Sequence, residues 1–140
     1  MTDRLARFVT AQATTWASTL AELRGGYKHG HWMWFVFPQL AGLGHSSTAR
    51  HYAIDDLAEA GAYLAHPVLG PRLVEATQAL LAHRGHRPEA ILGPINAMKL
   101  RSSLTLFEAA ARPPAACFTE ALEAFYDGAR DPLTLALLRG

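Results

Sequence analysis

At 140 residues the chain has the length of one domain, enough to bury roughly two-thirds of its unfolded surface without metal or disulfide staples. Half of the residues are hydrophobic and 18% are charged, which excludes a disordered chain. With 13 basic against 12 acidic residues the formal charge is +1, so no electrostatic case for nucleic acid or an anionic membrane follows.

The first predicted helix runs from about Asp3 to Leu23, with Asp3 as N-cap and Gly25-Gly26 as the stop. Leu5, Phe8, Val9, Gln12, Trp16, Leu20 and Leu23 recur at spacings of three and four, which stacks them on one face. An aromatic stretch from Tyr27 to Leu40 follows, including His31-Trp32-Met33-Trp34-Phe35-Val36-Phe37-Pro38. It reads as a short strand over 31–37 or a helical turn, since periodicity does not decide for a run this short. Gly42-Leu43-Gly44-His45-Ser46-Ser47 is a glycine-punctuated loop, and Ser46 or Ser47 caps a helix through Tyr52.

Asp55 or Asp56 caps the next helix, which places Leu57, Ala60 and Leu64 on one face with Tyr63 beside them; His66-Pro67 ends it. Leu69 to His83 forms a further helix with Leu73, Ala76, Leu80 and Leu81 inward, stopped by Gly85. Pro88 to Leu92 is a short turn. After Gly93-Pro94, Asn96 caps a helix through Ala111. Pro113-Pro114 breaks the chain, Ala115 to Tyr126 is helical with Phe118, Leu122 and Phe125 in step, and Gly128 stops it. Asp131-Pro132 opens a last helix, with aspartate at the cap and proline at the first helical position. The expected architecture is all-α: one compact domain of six or seven helices.

No apolar run approaches the ~20 residues that span a bilayer, and the N-terminal pattern is not a signal-peptide core, so the cytoplasm is the default location. Cys117, the lone cysteine, sits in Ala115-Ala116-Cys117-Phe118 and reads as a small buried hydrophobe.

Three blocks carry a resemblance: residues 31–44, residues 62–73, and Lys99-Leu100-Arg101-Ser102-Ser103-Leu104-Thr105-Leu106-Phe107. Together they closely resemble the bacterial family of "domain of unknown function 1810", from Arg7-Phe8 to Thr134-Leu135. The resemblance implies an all-α cytosolic protein and no established activity. Its pattern places an aspartate where this chain has Asn96, which counts against a catalytic acid at that position.

Chemistry concentrates in three places. In residues 28–39, Trp32 and Trp34 offer flat faces beside Lys28, His31 and Gln39, a combination suited to a planar ligand. The opposing reading makes these aromatics plain core. On the helix after Pro94, Lys99 and Arg101 are positioned to clamp a phosphate or carboxylate, with Ser102 and Thr105 adding hydroxyl donors. The opposing reading is serines that bond back to the previous turn. The loop before the second capped helix brings His45 and Ser46 to a helix N-terminus, where free N–H groups attract anions, although a plain turn explains it equally.

Neither a Rossmann nor a P-loop spacing is present, so no cofactor is called for. His29 and His31, like His83 and His86, lack a third ligand nearby, which argues against metal; residues 83–87 read as a solvated loop.

The leading expectation is a pocket for a small anionic, aromatic, nucleotide-like ligand. Trp32 and Trp34 form its floor, and Lys28, His31, Lys99 and Arg101 its positive wall. His31 is the candidate acid–base residue if the protein is an enzyme. A looser likeness in class, and in tryptophan and lysine usage, to the small helical NADAR proteins sharpens this to hydrolysis of an N-glycosidic or ADP-ribose-type bond. The alternatives are a non-catalytic protein-interaction module and a structural homodimer.

Overall fold

The computed structural model describes residues 4–111 and 116–139. Among them ten helices follow one another: α1 (Ala6–Ala13), α2 (Trp16–Gly25), α3 (Met33–Val36), α4 (Ser47–His51) and α5 (Leu57–Ala65), then α6 (Leu69–Leu81), α7 (Pro88–Leu92), α8 (Pro94–Ala110), α9 (Cys117–Tyr126) and α10 (Pro132–Arg139). The all-α expectation holds, and six or seven helices becomes ten.

Three differences account for the excess, the simplest being that the expected turn from Pro88 to Leu92 is the short helix α7. The expected first helix is two, because Thr14-Thr15 interrupts it: the Thr15 hydroxyl donates to the Ala11 carbonyl at 3.0 Å and the chain turns before Trp16. β-Branched residues with hydroxyls that compete for backbone groups are suited to such a break, and the apolar spacing runs across it unmarked. The stretch 31–37 is a helical turn, with Val36 N–H donating to the Trp32 carbonyl at 3.1 Å. Extended pairing among the described residues is one parallel bridge, Leu40 to Ile54, which ties the end of the aromatic stretch to the entry of α5.

Local capping rules locate several ends. Ser46 Oγ accepts from Ala49 N–H at 3.0 Å, Asp56 Oδ1 from Glu59 N–H at 2.8 Å, and Asp131 Oδ2 from Thr134 N–H at 2.9 Å. Each satisfies a donor that the first turn leaves free. Asn96 is not a cap: α8 begins at Pro94 straight after Gly93, and the Asn96 amide donates back to the Leu92 carbonyl at 3.2 Å. Asp3 and Pro113-Pro114 lie outside the described residues.

α8 is the central helix, packed on α5, α7, α9 and α10, while α6 lies against α2, α5 and α9. Its inward residues Leu100, Leu104, Leu106 and Phe107 join Phe8, Tyr63, Leu73, Leu80, Phe118 and Leu122 in one core. On α5 the buried residues are Ala60 and Tyr63, and Leu57 is exposed, which turns the face about one position from the sequence expectation. Tyr63 explains the turn. Its hydroxyl meets the Gln12 amide at 3.1 Å inside the core, and Gln12 also donates to the Phe35 carbonyl at 2.6 Å. A buried polar group keeps its place only when paired, so this knot locks α1, α3 and α5 together.

Candidate functional site

The aromatic stretch is organised by a residue upstream of it. Glu22, near the end of α2, accepts three N–H groups on one carboxylate oxygen: His29 at 2.6 Å, Gly30 at 2.8 Å and the Trp32 indole at 2.9 Å. Burial pushes the Glu22 carboxyl upward, but these hydrogen bonds outweigh it and hold the group below the usual carboxylate range. The segment therefore presents a fixed surface. Trp32 is 2% exposed with its N–H satisfied, so it belongs to the core and does not form the floor of a cleft. Trp34, two residues on, is half-buried and faces α8.

Two cations meet here. The Lys28 ammonium lies 5.1 Å from the Trp32 ring and donates to the Gly30 carbonyl; the Lys99 ammonium, on α8, lies 4.8 Å from the Trp34 ring. Burial lowers both amines below the ordinary lysine range. Lys28 is lowered further by the charge of Lys99 and pulled back by Glu22. Among the described residues no carboxylate pairs with Lys99.

Lys99 stands at the junction of two hollows that also share Gln39, Gly44 and Ala49. The inner one is a crevice of about 10 Å³, room for one water, against Met33, Trp34, Phe37 and Tyr52. The outer one is an open groove of about 350 Å³. Its walls are Leu43, His45 and Ser46 from the loop, Ile95, Met98, Arg101 and Ser102 from α8, and Asp131 and Leu133 at the start of α10. That volume lies at the small end of the range for small-molecule sites, and an apolar wall with a few polar groups is their usual character. Close approach of loop and helix requires the glycine: a Cβ on Gly44 would stand 2.5 Å from the Ala49 Cβ.

Of the residues singled out in the sequence, Gln39, His45, Ser46, Lys99, Arg101 and Ser102 line this groove, and Trp34 backs it through Lys99. Thus the blocks around 34 and 101 do meet. Three candidates have other duties. Arg101 donates to the carbonyls of Ala129 and Arg130 at 2.7 and 2.8 Å, so most of its fork anchors the loop before α10. Ser102 bonds back to the Met98 carbonyl at 3.3 Å. Thr105 is buried, donating to the Arg101 carbonyl and accepting from Asp131 N–H at 3.0 Å, so it offers no hydroxyl to a ligand. His31 is exposed and borders neither hollow. His83 is not in a solvated loop: its Nε2 meets the Leu23 and Arg24 carbonyls at 2.9 and 3.0 Å, closing the end of α2.

Sequence reasoning passed over Glu22, whose partners lie seven to ten residues downstream, and the apolar groove wall of Leu43, Ile95, Met98 and Leu133. One signal was available for the lysines. Lysine occurs only at positions 28 and 99, every other basic side chain being arginine, and the fold brings the two to one place. A larger hollow of about 1030 Å³ lies between α5, α6 and the end of α8. Among the described residues its lining is Leu57, Leu64, Val74, Pro71, glycines and alanines, without a polar side chain.

The model for the family described as "Protein of unknown function (DUF1810)" matches residues 2–138. The chain belongs to the DUF1810 family. A solved structure of this kind, the crystal structure of a conserved hypothetical protein from Mycobacterium tuberculosis, is 49% identical with a TM-score of 0.94. The match covers 97% of this chain and 96% of that one. No curated protein matches. The family match therefore spans every residue that lines the groove.

Proposed function

We propose that this DUF1810 protein binds a small anionic ligand carrying a flat ring, of nucleotide-like character, in the groove at Lys99. The observation that carries the reading is the Lys99 ammonium held 4.8 Å from Trp34 at the groove's inner end without a carboxylate partner among the described residues. A half-buried cation without a counter-ion is where an incoming anion gains most, because little water must be displaced to reach it. Asp131, on the groove wall, forms no ion pair with Lys99; its Oδ2 accepts from Thr134 N–H and the Thr134 hydroxyl at 2.9 and 2.6 Å. Leu43, Ile95 and Met98 supply an apolar wall for the ring.

Hydrolysis of an N-glycosidic or ADP-ribose-type bond is the catalytic form of this reading. It needs a proton-transfer group within reach, and His45 lines the groove where His31 does not. Titration of tryptophan fluorescence with AMP, ADP-ribose and NAD tests the reading, because Trp34 reports on Lys99. Saturable change that Lys99→Met weakens at least tenfold supports it; a flat trace to millimolar ligand, matched by silence in calorimetry, removes it.

A second reading is favoured by exposure. Ile95, Met98 and Leu133 are 70%, 73% and 65% exposed beside the groove, an apolar rim of the kind that interaction modules present. A protein partner predicts that Ile95→Asp or Met98→Asp abolishes its binding while AMP titration is flat.

A further inference from the structure

The groove reading asks only that Lys99 be a cation. Its surroundings suit a second property of an amine. Lys99 is half-buried, has no carboxylate partner among the described residues, and has the chain's one other lysine close by. Desolvation and a neighbouring cation are the two devices that leave a lysine amine free to attack a carbon at neutral pH. Burial supplies the first at Lys99. The Lys28 ammonium is engaged by the Gly30 carbonyl and lies near the Glu22 carboxylate, whereas the Lys99 amine has no hydrogen-bond acceptor or carboxylate partner among the described residues. Lys99 alone of the two borders the groove.

We infer that Lys99 is a nucleophile for a carbonyl carbon, and that the groove takes a flat, anionic aldehyde or ketone, held as an imine. This rests on the groove reading and names its ligand class. The step balances without an oxidant or reductant. The Lys99 nitrogen bonds to the carbonyl carbon, and an amine proton passes to the carbonyl oxygen to give a carbinolamine. The nitrogen's remaining proton then leaves with the hydroxyl as water, and a carbon–nitrogen double bond remains. Water reverses the sequence. His45 shares the groove wall with Lys99 and is the imidazole there that can carry protons to and from the departing oxygen.

The probe is pyridoxal 5′-phosphate, a flat ring bearing an aldehyde and a phosphate, followed by borohydride to fix any imine and by peptide mass spectrometry. Primary amines are the α-amine, Lys28 and Lys99, so the reading is unambiguous. The expected result is labelling of Lys99 at least tenfold above the other two amines in the folded protein, lost in the urea-unfolded chain. Equal labelling of the three amines, or labelling of Lys28 in preference, overturns the inference. A parallel fluorescence titration with AMP, which has no carbonyl to trap, reads the groove independently. AMP binding without a Lys99 adduct overturns the nucleophile and leaves the groove; absence of both overturns both. Lys99→Arg adds a check: it keeps a cation and so retains AMP binding, but has no primary amine and yields no adduct. Should that variant fold poorly, the label distribution in the unaltered protein decides alone.

Discussion

One oxygen of Glu22 receives the Trp32 indole N–H at 2.9 Å while it holds the backbone N–H groups of His29 and Gly30, so the end of α2 dictates the path of the segment that places Trp34 against Lys99. Glu22→Gln keeps the shape and removes the charge that strengthens all three bonds. The expected loss is about 1.5–3 kcal/mol of stability by urea denaturation, the range for hydrogen bonds to charged groups. Lys28 should also become more reactive to acylating reagents, since it loses the carboxylate that favours its protonated form. Unchanged stability would show that the three bonds are replaced by water without cost.

How far the fold was legible follows the range of each interaction. Ser46, Asp56 and Asp131 act on N–H groups three residues ahead, and their caps stand in the sequence as written. Pro88 and Gly93 marked the bounds of α7, which reads in the sequence as a short turn and is a five-residue helix. The break at Thr14-Thr15 was not, because apolar spacing continues through it and only the Thr15 hydroxyl betrays the turn. Long-range pairings left less trace. Glu22 looks like any helix-surface acid, and Arg101 like a free clamp until the Ala129 and Arg130 carbonyls are found 28 and 29 residues away. The tryptophans behaved oppositely for a reason of phase: Trp32 turns inward to Glu22, and Trp34, two positions on in a helical turn, faces α8.

Gly70 marks a close approach of α6 to α5. A Cβ there would stand 2.0 Å from the Leu64 carbonyl oxygen, an atom of α5 backbone that has no rotamer by which to retreat. Gly70→Ala therefore has to separate α6 from α5 and open the core around Leu69 and Tyr63. The expected cost is about 3 kcal/mol or more, at or above the usual overpacking range, seen as a large drop in melting temperature or as insoluble expression. Gly61, with nothing near its Cβ position, is the control: Gly61→Ala in the interior of α5 is expected to gain about 0.5–1 kcal/mol.

Glu108 carries the acid sensitivity of the α8–α9–α10 corner. It accepts from Arg130 Nε at 2.9 Å and from the Thr119 hydroxyl at 2.6 Å. The Arg130 hydrogen bonds lower its carboxyl against the opposing effect of burial, with Thr119 assisting. A group lowered in the folded state stabilises it above its unfolded value, here 4.5, and that contribution disappears as pH falls through the folded value. Stability measured by urea midpoint from pH 7 downward should begin to fall near pH 4.5. In Glu108→Gln the protein should be less stable by about 1–3 kcal/mol at pH 7, with a shallower acid slope. Parallel acid slopes in the two proteins would place the sensitivity elsewhere.

Lys99 gives anion binding a pH signature of its own. Burial lowers its amine from the ordinary 10.5, and a bound anion raises it again by favouring the charged form. Binding is then accompanied by proton uptake whenever the free amine is part-deprotonated. The sign follows: affinity is full at low pH and declines as pH rises through the lowered value, before an exposed lysine would respond. Calorimetric titration of AMP between pH 6 and 10 in buffers of different ionisation enthalpy should show weakening on the alkaline side with net proton uptake. Lys99→Arg, whose guanidinium stays charged throughout, should bind with no such decline. A decline that persists in Lys99→Arg would assign the titration to another group, and affinity independent of pH in the parent protein would mean that the anion does not sit on Lys99.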